Sequence, residues 1–246
     1  MGELSFLSIV FIALGYVATL IFFGGLFYKL WGYAITPSPL NIPTTPQPKT
    51  VTGVILKNIK SIATFESIFK ANKWTWVGGY ALHLVLLFVL LRHLRYFVEP
   101  LGTTLTLIQP LGMIAGLLMP LPIIYLWIHR KTVDRLNYIT SGADIFALLL
   151  LLLIALSGIT LRLLFHPDVA AVKGFILSMM LLNPVNIPSN PIFLIHFSLV
   201  IVLAIYFPFS KLLHAGGMFF SPTRMQVENA REVRYVNPWA SGEKKS

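Results

Sequence analysis

The sequence predicts an all-α membrane protein built on five transmembrane helices. Three observations lead there. Of 246 residues, 56% are hydrophobic and only 11% are charged, against roughly 25% charged in a soluble domain. The apolar residues are gathered into runs close to the ~20 residues that a bilayer core requires. The lysines and arginines fall very unevenly on the two sides of those runs, as the cytoplasmic excess of positive charge dictates.

The first run, from about Phe6 to Leu30, lacks the basic leader, the short apolar region and the small-residue cleavage site of a signal peptide. It reads as a retained first helix, within a first segment 1–35. Residues 36–75 follow as a linker. Its stretch 36–50 is too rich in proline for a helix. Its stretch 52–70 carries Ile55, Ile59, Ile62 and Phe69 at helical spacing with lysines between them. That pattern predicts an amphipathic helix lying on the membrane interface. Four further spans are predicted at 76–97, 106–128, 143–165 and 191–214, making a core over 76–214. Residues 215–246 form a polar, basic tail, either disordered or docked on a partner.

With the N-terminus outside, fifteen of the 19 lysines and arginines face the cytoplasm and only Arg92, Arg95, Arg162 and Lys173 face out. This orientation puts the C-terminus in the cytoplasm of a multi-pass protein of the cell membrane. It also accounts for the net charge of +10 without nucleic acid as a partner. The absence of cysteine excludes disulfides, thiolate zinc or iron–sulfur ligation and covalent c-type haem attachment. Any cofactor must be held by histidine, carboxylate or methionine.

Six histidines occur, and one inside a membrane span is costly unless paired or coordinated. His83 and His93 belong to the second span, and His196 and His214 to the fifth. Antiparallel helices level His93 with His196 near the outside, and His83 with His214 near the cytoplasm. Two imidazoles from facing helices can hold a b-type haem iron. The spacings agree only in part: ten residues span about 15 Å and eighteen about 27 Å, so about 12 Å must be absorbed by tilt or bending. Pro208 is the obvious kink point. Spacing alone leaves open haem ligation, ordinary hydrogen-bonded histidines and a proton path. His129, before Arg130 and Lys131, reads as an interfacial residue. His166, before Pro167 and Asp168, reads as a loop residue with an option on quinol or proton contact.

Beyond spacing, the chain resembles the membrane cytochrome b family of the nitrate reductase gamma subunit along nearly its whole length. The resemblance is carried by the His83–His93 and His196–His214 separations, FPFSKLLH from Phe207 to His214, and TSGADI from Thr140 to Ile145. A narrower likeness, to the cytochrome b subunits of sulfite-reduction-associated membrane complexes (DsrM-like and archaeal Hme-type), rests on other segments. These are LLRHLRYF (Leu90 to Phe97), FFSPTR (Phe219 to Arg224) and YVNPW (Tyr235 to Trp239).

The resemblance implies a five-helix bundle holding two haems b, one on His83 and His214 (inner) and one on His93 and His196 (outer). It further implies that menaquinol or another quinol is oxidised near the outer haem. Electrons would then pass inward to a cytoplasmic iron–sulfur subunit of a respiratory complex linked to sulfur-compound metabolism. Nitrate-reductase-type members carry a quinol-linked lysine after the second span; here 98–109 contains none. Arg92, Arg95, Glu99 and His166 are the candidates for quinol contact instead. The rivals are a haem-free membrane anchor or transporter, and a di-haem cytochrome b of another quinone-linked oxidoreductase. A transporter would more often show inverted repeats around broken helices, and the sequence offers neither.

Overall fold

The computed structural model describes residues 3–36, 43, 45–214, 217, 219–221 and 224–236, and these are helical with no strand among them. Much of the proline-rich stretch, Pro222 and Thr223 of FFSPTR, and the end of YVNPW lie outside the described residues. Five helical segments are long and apolar enough to cross a membrane: Phe6–Ile35, Lys73–Tyr96, Thr103–Thr132, Gly142–Phe165 and Pro191–Phe209. The first four match the expected spans to within a few residues. The fifth ends sooner than expected, for a reason given below.

Helix α1 (Phe6–Ile35) starts on Ser5, whose hydroxyl accepts from the Ser8 amide, satisfying one of the helix's free donors. Ser8 is fully buried, and its hydroxyl donates to Asn186 Oδ1 at 2.9 Å while accepting from the Ile187 amide at 3.0 Å. This ties the start of α1 to the connection before the last span. The predicted interfacial helix is two helices, α2 (Val51–Thr64) and α3 (Glu66–Ala71), broken at Phe65 in a left-handed conformation. Ile55, Ile59 and Phe69 are exposed while Val54 is buried, so the predicted apolar stripe faces away from the protein.

Helix α4 (Lys73–His93) begins on Asn72, which accepts from the Thr75 amide. The third span is also divided. Helix α5 (Thr103–Leu118) contains Pro110, and α6 (Pro120–Thr132) restarts at a proline, a residue that cannot donate into the preceding turn. After the short α7 (Asp134–Ile139), helix α8 (Gly142–Thr160) opens with a reciprocal cap between Ser141 and Asp144. It closes in a π turn, Leu161–Phe165. Helix α9 (Val169–Met180) lies in the connection between the fourth and fifth spans, and its Phe175 is fully buried. Helix α10 (Pro191–Tyr206) completes the set, continued by a 3₁₀ turn, Phe207–Phe209.

Two packed clusters hold the bundle. One joins Ile12 of α1, Val172 and Phe175 of α9, Phe193 of α10 and Leu161. The other joins Leu82 of α4, Met119, Ile123 and Leu126 of the third span, and Leu148 of α8. Many outward side chains are apolar and exposed, Leu20 and Leu107 among them. Between lipid-facing helices, close packing of small residues takes over from the hydrophobic effect. At Gly25 a Cβ would lie 2.7 Å from Cβ of Pro208, which is buried, so α1 is pressed onto the turn where the last span breaks.

That break explains the early end of the fifth span. Past Phe209 the backbone turns extended at Ser210, and a 3₁₀ turn, Lys211–Leu213, carries His214. His214 is therefore carried on a turn beyond the helix and not on the predicted continuous span.

The tail folds back on the linker. The Glu228 amide donates to the Pro48 carbonyl at 3.1 Å, and the Gln47 amide to Glu228 Oε2 at 2.9 Å. Asn58 of α2 donates to the Arg224 carbonyl at 2.8 Å.

Candidate functional site

Helix α4 packs on α5 and α6, while α10 packs on α1 and α8; the two histidine-bearing helices share no extended contact. Their histidines reach across the space between. The rings of His93 and His196 lie 6.4 Å apart between centroids with planes 19° apart. Those of His83 and His214 lie 5.8 Å apart with planes 84° apart. Metal–imidazole bonds are about 2 Å, so two rings on opposite sides of one metal have centroids roughly 6 Å apart. Both pairs meet that spacing.

The ring nitrogens decide what the pairs can bind. His83 Nδ1 lies 2.7 Å from the Gly79 carbonyl, His93 Nδ1 2.7 Å from the Val89 carbonyl, and His214 Nδ1 2.8 Å from the Lys211 carbonyl. A carbonyl only accepts, so each of these Nδ1 atoms carries its proton and donates. His196 Nδ1 lies 2.8 Å from Ser157 Oγ, and that hydroxyl donates to the Ile154 carbonyl at 3.0 Å. Its proton is thus committed, and it accepts from His196. In its neutral form each of the four imidazoles therefore presents a bare Nε2 lone pair while Nδ1–H fixes the ring, the arrangement seen in metal-ligating histidines. The sequence could not name these acceptors. Three are backbone carbonyls three or four residues upstream on the same element, and the fourth is a serine on another helix.

The surroundings of each pair are specific. Gly158 lies against His196, where a Cβ would stand 3.3 Å from the ring. Phe65, at the break between α2 and α3, sets its ring edge-on to His83 at 4.9 Å; the position gave no signal because its helical period predicts an unbroken helix. His214 is held through its turn. Lys211 pairs with Asp144 at 2.8 Å, and Tyr206 donates to the Ala143 carbonyl at 2.9 Å. The segments TSGADI and FPFSKLLH thus meet: the cap of α8 anchors the turn that presents His214.

The remaining predicted residues gather differently. Arg92 donates to the Gln109 carbonyl at 2.7 Å, and Arg95 lies over the Tyr96 ring at 5.6 Å. Glu99 pairs with Lys173 of α9, so a lysine does reach the end of the second span, from a segment where spacing could not place it. His166 is exposed at the end of the π turn, its amide donating to the Leu161 carbonyl at 2.9 Å. Among the described residues, no hydrogen bond or ring contact joins it to either histidine pair. His129, read as an interfacial residue, stacks on Tyr125 and lies 3.1 Å from Thr75 Oγ1.

The sequence pattern of the nitrate reductase gamma subunit family matches residues 57–234, a stretch that contains all four paired histidines. Among characterised relatives, the chain is 34% identical to an Hdr-like menaquinol oxidoreductase cytochrome b-like subunit of Archaeoglobus fulgidus. That alignment covers 91% of this chain and 81% of the relative. It is 29% identical to the protein of the same description in Archaeoglobus profundus, over 94% of this chain and 82% of the relative. No solved structure matches.

Proposed function

The chain belongs to the nitrate reductase gamma subunit family, and from that premise we propose that it is the di-haem membrane subunit of a menaquinol-oxidising complex. One observation supports this above the others: one histidine pair bridges α4 and α10 and the other bridges α4 and the turn beyond α10, every ring with Nδ1 bonded and Nε2 bare. A haem b held by each pair would supply one-electron steps across the bilayer. His93 and His196 hold the outer one, His83 and His214 the inner, with the N-terminus outside.

The quinol head group binds at the outer end, beside Glu99, Lys173 and His166. Oxidation of one quinol releases two electrons and two protons. Glu99, paired with Lys173 and largely exposed, accepts the two protons in turn and passes each to the outside. The electrons move inward, one at a time, to an iron–sulfur subunit docked at the cytoplasmic face. Each charge moved against the membrane potential costs about 2.3 kcal/mol per 100 mV. The tail, folded against α2 and the linker, forms part of the docking surface, and the electrons serve sulfur-compound metabolism.

The direct test adds menadiol, a soluble menaquinol analogue, to the purified haem-loaded chain and follows the haem absorbance. Reduction of the haems is expected. Haems that are reduced by dithionite but untouched by menadiol would contradict the assignment.

Two supporting residues carry their own expectations. Ser157→Ala removes the acceptor that orients His196, and such outer-shell losses weaken metal binding by about 10–100-fold. Titration of the emptied protein with haemin should show one of its two sites weakened by that factor. Asp144→Ala removes the reciprocal half of the α8 capping box, leaving the Ser141 cap, and frees Lys211. The inner haem should be lost first on heating, with the outer haem retained, in a temperature series of reduced-minus-oxidised spectra.

A further inference from the structure

Three guanidinium groups lie within electrostatic reach at the His93 end of the bundle, and among the described residues no acid meets them. Arg92 precedes a histidine of the pair and lies within electrostatic reach of both Arg95 and Arg162. Its stem is seated against α5, where a Cβ on Gly112 would stand 2.5 Å from the arginine's own Cβ. Arg162 stands on the π turn four residues beyond Gly158, the residue that faces the His196 ring. Its guanidinium reaches Met113 Sδ of α5 at 3.5 Å. Among the described residues no carboxylate pairs with any of the three, and the nearby Glu99 is engaged by Lys173.

Three like charges at the rim of an apolar bundle repel one another, and the cost grows as the local dielectric falls. Such a cluster is stable when an anion of matching charge and planar oxygen geometry completes it. The histidine pair offers one position for that anion: His93 directly follows Arg92 in α4, and its ring lies 6.4 Å from that of His196. Resting on the two-haem reading, we infer that Arg92, Arg95 and Arg162 bind the two propionates of the haem held by His93 and His196. The assignment takes Arg92 and Arg95 out of the quinol site and gives them to the cofactor. It also adds Arg162, which sequence reasoning had left as an ordinary outward charge.

The test uses the whole chain purified with haem that carries isotope-labelled propionate carboxyls, read by redox-difference infrared spectroscopy and by potentiometric titration. Arg162→Gln alters an exposed side chain, and Arg92→Lys keeps the charge while removing the guanidinium fork; Lys131→Gln, on the other side of the bundle, is the control. The outer haem is identified as the one missing in His93→Ala. In Arg162→Gln its potential should fall, because an uncompensated propionate favours ferric iron. Its labelled carboxylate bands should shift in both arginine variants. The inner haem and the control should not move. Unchanged bands and potential in both variants, with two haems present, would overturn this inference alone. A wild-type chain without haem would overturn the reading beneath it.

Discussion

Replacing His93 or His196 by alanine should reduce the haem content from two per chain to one and bring menadiol-driven reduction of the remaining haem to background. The two rings lie 6.4 Å apart between centroids and on the proposed assignment would serve one metal position, so either substitution should give the same spectrum. Removing a ligand of the inner pair gives a different phenotype. His83→Ala should keep the outer haem and its rapid reduction by menadiol, while transfer to a cytoplasmic acceptor stops. A pyridine haemochrome count with stopped-flow absorbance on the four single variants distinguishes the pairs. Equal loss of both haems in every variant would mean that the histidines hold the fold and not separate cofactors.

The second large effect is expected at Gly112, the point of closest approach between α4 and α5. A Cβ there would lie 2.5 Å from Arg92 Cβ and 2.7 Å from the Phe88 carbonyl oxygen. The second of these is backbone, so relief requires movement of α4 itself, the helix that carries His83 and His93. Overpacking of this kind costs typically about 1–3 kcal/mol. Gly112→Ala should therefore lower the thermal midpoint and loosen both haems together. Gly116→Ala, one turn on, is the matched control: its nearest neighbour would be Val89 Cγ2 at 4.0 Å. Thermal scans of haem absorbance in detergent check the pair. Equal midpoints for the two variants would mean that α4 and α5 are not packed as described.

Much of this molecule can be read from its sequence, because a bilayer makes composition informative. Spans announce themselves by length and hydropathy, and antiparallel order levels the histidines. The correspondence extends to the weak point. Pro208 stands where the last helix breaks, and the turn beyond it carries His214.

What spacing could not supply is chemistry that depends on contacts between distant segments. Ser157 becomes legible as a partner of His196 only when α8 lies against α10. Phe65 leaves its helix by adopting a left-handed backbone, a choice that tertiary packing imposes against local propensity. Helix α9 carries Lys173 to Glu99 from a stretch with no strong helical period. Asp144 and Lys211 each belong to a segment that stood out by resemblance, yet their ion pair gives those segments a physical reason: it fixes the turn that presents His214.

The central claim is that the two pairs of histidines hold two haems in one chain. The most direct measurement is a reduced-minus-oxidised spectrum of the chain purified in mild detergent, with a pyridine haemochrome count against protein concentration. The account predicts b-type spectra and two haems per chain, titrating as two components. A well-folded, monodisperse sample with no haem, or with one that survives all four histidine substitutions, would contradict it.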